Sequence, residues 1–165
     1  MEQSSYTKMF PVSWEELHRH AKALAWRLVD RRFTGLIAIT RGGLVPAAIV
    51  ARELNLRMIE TVCCQAYDKQ RNSGKVEVLK PPQAALADKG RDWLLIDDLV
   101  DTGLTAKGVR ELLPMAHFAA IYAKPAGKPL VDTYITEVSQ DTWILFPWDQ
   151  EAGPSTPIVE RKNGA

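Results

Sequence analysis

Apolar residues recur at helical spacing early in the chain. Leu17, Ala21, Leu24, Ala25 and Leu28 fall on one stripe, behind a Ser13–Glu16 pair with the spacing of a capping box. This pattern predicts an amphipathic opening helix that exits at Asp30-Arg31-Arg32, where the two arginines suit a helix C-terminus. The pattern then changes to short unbroken apolar runs. Leu36-Ile37-Ala38-Ile39-Thr40 and Trp93-Leu94-Leu95-Ile96 read as strands buried on both faces, with Arg57 to Cys64 and Phe118 to Ala123 as further strands. Pro46 through Leu54 reads as a helix opened by its proline, and Thr105 to Leu113 as a helix stopped by Pro114. Tyr134 to Val138 and Trp143 to Phe146 are two further strand candidates. Strands alternating with helices predict the α/β class: an open, mostly parallel twisted sheet flanked by helices.

Between residues 65 and 82 the chain turns polar and reads as a surface excursion, with a short alternating strand over Val76 to Leu79. Residues 149–165 read as an irregular tail. The length of 165 residues suits a single domain over 1–165 that needs no disulfide staple. Lys plus Arg is 21 against 20 Asp plus Glu, which excludes a surface built throughout for polyanions and argues against a nucleic-acid partner. At 46% hydrophobic and 25% charged, the composition excludes disordered and fibrous classes. No apolar run approaches the ~20 residues of a membrane span, and the first residues lack a signal-peptide pattern, so a cytoplasmic location is expected. Cys63 and Cys64 are adjacent in a strand and read as buried thiols rather than a bridge. His18, His20 and His117 have no metal-ligand spacing and read as structural. Trp14, Trp26, Trp93 and Trp148 read as core residues.

Three breaks fall at the ends of predicted strands: Thr40-Arg41-Gly42-Gly43, Asp97-Asp98 and Lys124-Pro125-Ala126-Gly127. In such sheets ligands bind beyond the carboxyl ends of the strands. Asp97 and Asp98 follow a buried strand, where two ionised carboxylates are costly unless they reach a ligand, a metal or water. Adjacent acceptor-only groups suit the neighbouring hydroxyls of a ribose. Thr102-Gly103-Leu104-Thr105 then leads into a helix, whose first N–H groups, a permissive glycine and two hydroxyls make a phosphate cradle. Diol acceptors beside a phosphate cradle describe a site for a ribose 5-phosphate. A solvated acidic turn does not require this order of parts. Asp101-Thr102-Gly103 matches a retroviral-type aspartic protease triplet, but that needs an all-β dimer. No GxxxxGK[ST] occurs, which excludes the usual nucleotide P-loop. A phospho-acceptor receiver domain leaves the cradle unexplained.

The run IDDLVDTGLTA resembles the phosphoribosyl-pyrophosphate (PRPP) signature of the type I phosphoribosyltransferases. TRGGLVPAAIVARELN, TVCC, AKPAGKPLVDTY and QDTWILFPWD, in that order, are similar to the bacterial xanthine-guanine branch of the family, and the similarity runs from about Trp14 to Trp148. The resemblance implies the type I fold, with a small hood and a flexible loop, which makes the excursion over 65–82 a mobile one over the site. It also implies transfer of the phosphoribosyl group of PRPP to N9 of a 6-oxopurine (guanine, xanthine or hypoxanthine), releasing pyrophosphate and forming GMP, XMP or IMP in purine salvage. The implied PRPP contacts are Arg41, Gly42, Asp97, Asp98, Leu99, Val100, Asp101, Thr102, Gly103, Leu104 and Thr105. Among these, Asp97 and Asp98 take the ribose hydroxyls, Asp101 to Thr105 the 5-phosphate, and Arg41 with Gly42 the pyrophosphate. Asp98 shares a Mg²⁺ cofactor with PRPP oxygens. The implied purine contacts are Asp101, Lys124, Trp143 and Ile144. The resemblance makes Asp101 the expected catalytic residue, exchanging a proton at N7. Lys124 points at O6, Trp143 stacks on the base, and the Ile144 backbone reads the 2-substituent.

Type I relatives often carry a non-proline cis peptide in the pyrophosphate loop, expected here near Arg41-Gly42. The segment from Tyr67 to Lys80 departs from the family pattern in length and order, and Arg71 and Lys75 compete for its pyrophosphate contact. The resemblance implies a homotetramer or dimer. Some relatives associate peripherally with the inner membrane, although nothing in this chain resembles an amphipathic anchor. Two alternatives stand beside this reading: a phosphoribosyltransferase for another base such as adenine or orotate, and a non-catalytic RNA-binding regulator of the same fold.

Overall fold

The computed structural model describes residues 6–66, 76–149 and 156–161. A short strand β1 (Lys8–Pro11) precedes helix α1 (Trp14–Leu28). Ser13 Oγ accepts a hydrogen bond from the Glu16 backbone N–H at 3.1 Å, which satisfies one of the unpaired first-turn donors and fixes where α1 starts. Leu17, Ala21, Leu24, Ala25 and Leu28 are buried, as their periodicity predicts. Trp26 lies off that stripe and is 73% exposed. Of the four tryptophans expected in the core, Trp93 is buried and Trp148 half-buried, while Trp14 and Trp26 face solvent.

The chain continues through β2 (Gly35–Thr40), α2 (Leu44–Glu53), β3 (Ile59–Ala66), β4 (Val76–Lys80), α3 (Gln83–Leu86), β5 (Trp93–Val100), α4 (Leu104–Leu112) and β6 (His117–Ala123). A 3₁₀ turn over Lys128–Leu130 leads to β7 (Thr133–Glu137), β8 (Thr142–Leu145) and α5 (Ile158–Arg161). Six strands form one sheet in the order β4-β3-β2-β5-β6-β7, parallel at every pair except β3–β4. β1 and β8 pair separately as a two-stranded parallel sheet.

Alternation along the central strands divides the core between the two faces of the sheet. Leu36, Ala38, Leu94, Ile96, Ala119 and Ile121 pack with α1 and α2 on one side. Ile37, Ile39, Leu95, Phe118 and Ala120 pack with Ala106, Val109 and Leu113, on and just after α4, on the other. Both faces are covered, which is why the strands read as unbroken apolar runs.

Several boundaries differ from the sequence reading. Asp97 and Asp98 belong to β5 rather than following it, because apolar β6 offers a parallel ladder as far as Val100↔Ala123. α2 begins at Leu44, which places Pro46 within the first turn, where a missing N–H breaks no helical bond. The short strand expected over Val76 to Leu79 is present as β4, one residue longer and paired antiparallel to β3. Residues 67–75, with Arg71 and Lys75, lie outside the described residues. Cys63 and Cys64 are free thiols, as expected, but half-buried, because they straddle a register shift between β3 and β4. Burial pushes the Cys64 thiol up to about 11. The tail expected to be irregular contains α5, a single exposed turn closed by Arg161 Nε donating to the Thr156 carbonyl. Among the described residues no helix is long and apolar enough to cross a membrane.

Candidate active site

The sheet order reverses between β2 and β5: from β2 the chain builds outward to β3 and β4, and from β5 it builds the other way to β6 and β7. Such a switch point leaves a crevice at the carboxyl ends of the two strands. The loop after β2 enters it. Its cis peptide is Thr40–Arg41, one residue earlier than expected. Gly42 lies against the side chain of Asp98: a Cβ at that position would sit 2.4 Å from each carboxylate oxygen, so any larger residue displaces the carboxylate. The Arg41 side chain is exposed at the rim.

Consecutive strand residues point to opposite sides, and this separates the two acids. Asp97 lines a hollow of about 120 Å³ together with Leu99 to Ala106. Asp98 lines a neighbouring cavity of about 350 Å³ with Arg41, Lys124, Trp143, Ile144 and Asp149. The expected doublet therefore serves two hollows, which share Leu99 and Asp101. Asp97 Oδ1 accepts from the Asp98 backbone N–H at 2.9 Å, and Asp98 Oδ1 from the Leu99 N–H at 2.8 Å. Burial, and then the charge of Asp98, hold the Asp97 carboxyl well above its ordinary range, and burial raises Asp98 too.

The smaller hollow sits at the N-terminus of α4. Gly103, at φ 82°, is in the left-handed region that glycine adopts without penalty, and it turns the chain into the helix. Thr102 Oγ1 accepts from the Leu104 N–H at 3.4 Å. The first turn of α4 therefore borders the hollow, where its backbone donors and the helix dipole favour an anion.

Asp101 is the hub of the larger cavity. Its Oδ2 accepts from Lys124 Nζ at 2.9 Å and from the Tyr6 hydroxyl at 3.0 Å, and its Oδ1 from Gln140 Nε2 at 2.7 Å. Gln140 Oε1 in turn accepts from the Ala126 N–H at 3.0 Å, tying Asp101 to the loop after β6. Trp143 and Ile144 are brought to the wall by β8. Among the described residues Trp143 Nε1 is buried without a hydrogen-bond partner. The structure thus brings Arg41, Asp98, Leu99, Asp101, Lys124, Trp143 and Ile144 around one cavity. Asp97 and Val100 to Thr105 border the other. Sequence reasoning did not place Tyr6, Gln140, Phe146, Trp148 or Asp149 at the site. All but Tyr6 lie within the quoted QDTWILFPWD run, whereas Tyr6 arrives only through the β1–β8 pairing.

The arrangement offers an anion cradle, two carboxylates and a half-apolar cavity with a cation and an acid on its wall, as suits an aromatic ligand bearing a phosphorylated arm. Comparison with known proteins agrees. A family model described as phosphoribosyl transferase domain matches residues 13–152. A relative from Desulfotalea psychrophila named xanthine-guanine phosphoribosyltransferase is 56% identical over 158 residues, 95% of this chain and 96% of its own. Another of that name, from Nitratidesulfovibrio vulgaris, is 59% identical over 157 residues, 94% of each chain. The crystal structure of a purine phosphoribosyltransferase from Pyrococcus horikoshii matches with a TM-score of 0.74 at 24% identity, over 90% of this chain and 99% of that one, a likeness of fold.

Proposed function

The chain belongs to the phosphoribosyl transferase domain family, and from that premise we propose a purine-salvage enzyme. It transfers the 5-phosphoribosyl group of PRPP to N9 of guanine, xanthine or hypoxanthine, with inversion at C1′, releasing pyrophosphate and forming GMP, XMP or IMP. The observation that carries this reading is the pair of adjoining hollows with a shared wall at Leu99 and Asp101. One has the donors for a 5-phosphate. The other has room and aromatic surface for a base.

As pyrophosphate leaves, positive charge builds on the ribose, so positioning and electrostatics carry the rate. In this reading Thr102 to Thr105 hold the 5-phosphate, with Leu99 and Val100 shaping the approach. Asp97 and Asp98 take the ribose hydroxyls, and Arg41 and Gly42 the pyrophosphate. Lys124 donates to O6, a contact the 6-amino group of adenine cannot accept. Trp143 packs on the ring and the Ile144 backbone reads the 2-substituent. Asp101 exchanges the proton at N7.

Among the described residues no group of three or more His, Cys, Asp or Glu could hold a metal ion. Asp98 nevertheless fits a Mg²⁺ shared with substrate. It is a hard oxygen donor at the cavity wall, and Mg²⁺ usually keeps waters and takes only one or two protein carboxylates. A cation beside Asp98 would offset the burial and like-charge costs that raise the Asp97 and Asp98 carboxyls. Bound there, Mg²⁺ supplies charge neutralisation for the departing pyrophosphate. We take residues 1–165 as one cytoplasmic domain that assembles as a homotetramer or dimer; the exposed Trp26 of α1 and Val29 just after it offer apolar surface for the assembly.

The test is a spectrophotometric panel of guanine, xanthine, hypoxanthine, adenine and orotate with PRPP and Mg²⁺. Turnover confined to the 6-oxopurines is expected. Equal turnover of adenine, or salt-dependent RNA retention without any turnover, overturns the reading.

A further inference from the structure

Lys124, assigned above to the 6-oxygen of the base, is 1% exposed. Its ammonium is held between Asp101 Oδ2, 2.9 Å away, and the face of the Tyr6 ring, whose centroid is 4.4 Å away. The Tyr6 hydroxyl donates to the same Asp101 oxygen at 3.0 Å, and its ring meets Trp143 edge-on with centroids 5.1 Å apart. One planar side chain of the protein therefore touches all three groups assigned to the base: the acid, the ammonium and the indole. Burial, and then the bond to Asp101, raise the Tyr6 phenol above its ordinary range, in keeping with a hydroxyl held as a donor.

Space is not the obstacle, since the cavity beside Tyr6 measures about 350 Å³. The contest is for polar partners. An ammonium so covered presents little open surface to a carbonyl, and Asp101 Oδ2 already accepts two hydrogen bonds. We propose that Tyr6 is an internal competitor of the purine, which must release Asp101 and uncover Lys124 before the base is seated, so that Tyr6 sets base affinity. This rests on the assignment of the larger cavity to the base. The tether of Tyr6 permits such a movement. β1 spans four residues, mostly exposed, and pairs with β8 alone among the described strands. The Thr7 and Lys8 N–H groups donate to the Asp141 carbonyl at 2.8 and 3.2 Å, so the backbone stays while the Tyr6 side chain turns, and the exposed Thr7 and Lys8 side-chain ties to Asp141 add little.

Steady-state kinetics on Tyr6→Phe and Tyr6→Ala, with guanine and xanthine as varied bases, test the proposal. Removing a hydroxyl that donates to a charged acceptor is expected to lower the base KM by about tenfold. The PRPP KM is expected to stay within about twofold, because the smaller hollow does not include Tyr6. A purely structural role would instead raise KM or depress kcat for both substrates. A lowered base KM in either variant sustains the proposal. An unchanged or raised base KM in both, with the wild-type protein active, overturns it alone. A wild-type protein inactive with every base removes the parent assignment and this proposal with it.

Discussion

Gly42→Ala isolates one contact between the loop after β2 and the acid of β5. The added methyl carbon would lie 2.4 Å from both Asp98 carboxylate oxygens, about 1 Å inside ordinary van der Waals contact. Gly42 is not among the residues with positive φ, so the effect is steric rather than a matter of backbone strain. The carboxylate must swing aside, giving up the 2.8 Å bond it accepts from the Leu99 N–H. One such bond is worth about 1 kcal/mol, so the melting temperature should fall by only about 2–4 °C for a chain of this size. Function should suffer far more. A 1 Å misplacement of a positioned group costs on the order of 100-fold in rate, equivalent to about 2.7 kcal/mol of transition-state stabilisation. The assay is kcat/KM for PRPP at saturating guanine, paired with thermal melts. Because the methyl acts through Asp98, the Asp98→Asn change should cost much less in the Gly42→Ala background than in the wild type. Full activity in Gly42→Ala, or losses that simply add in the double variant, would refute the reasoning.

Three further outcomes are expected. Asp97→Asn should melt higher than the wild type at neutral pH, in the absence of ligand. A carboxyl raised in the folded state destabilises the fold as pH climbs from the unfolded value of ~3.9 through the raised one, so the two proteins should converge in melting temperature below about pH 4. Asp101→Asn should lower kcat by more than about 100-fold while leaving PRPP affinity within a few-fold, read from turnover and equilibrium PRPP binding; equal loss of both would count against a role at N7. Gln140→Leu removes the 2.7 Å tie to Asp101 Oδ1 and the 3.0 Å tie to the Ala126 N–H. It should cut kcat by roughly tenfold with little change in the PRPP KM, and a mutant with wild-type kcat would show that Asp101 needs no such brace.

The hollow at the N-terminus of α4 was legible because its parts are contiguous. Ile96 to Ala106 contains the strand end, both acids, the glycine of the turn and the first helical turn, so local chemistry sufficed. The central strands were legible because both faces are covered and their apolar runs are unbroken. Which way Asp97 and Asp98 point depends on where β5 ends, and that is decided by pairing with β6, not by the β5 residues themselves. β1 escaped notice because Lys8 to Pro11 carries no alternating pattern and forms only against a distant strand. With β1 unseen, Tyr6 could not be placed. The bracing of Asp101 by Gln140 was hidden for a similar reason: the contact joins two loops that no spacing rule relates.

The β1–β8 pairing also orders events on the ribosome. Arg41 to Ala106 emerge well before Thr142, so a growing chain can complete the hollow at the N-terminus of α4 early. Trp143 and Ile144 must clear the exit tunnel before β1 finds the only strand it pairs with among those described. Until then the N-terminal strand waits with an open edge, a surface that nascent proteins commonly need chaperones to shield. The larger cavity, walled by Tyr6, Trp143 and Ile144, should thus close after the smaller one during synthesis.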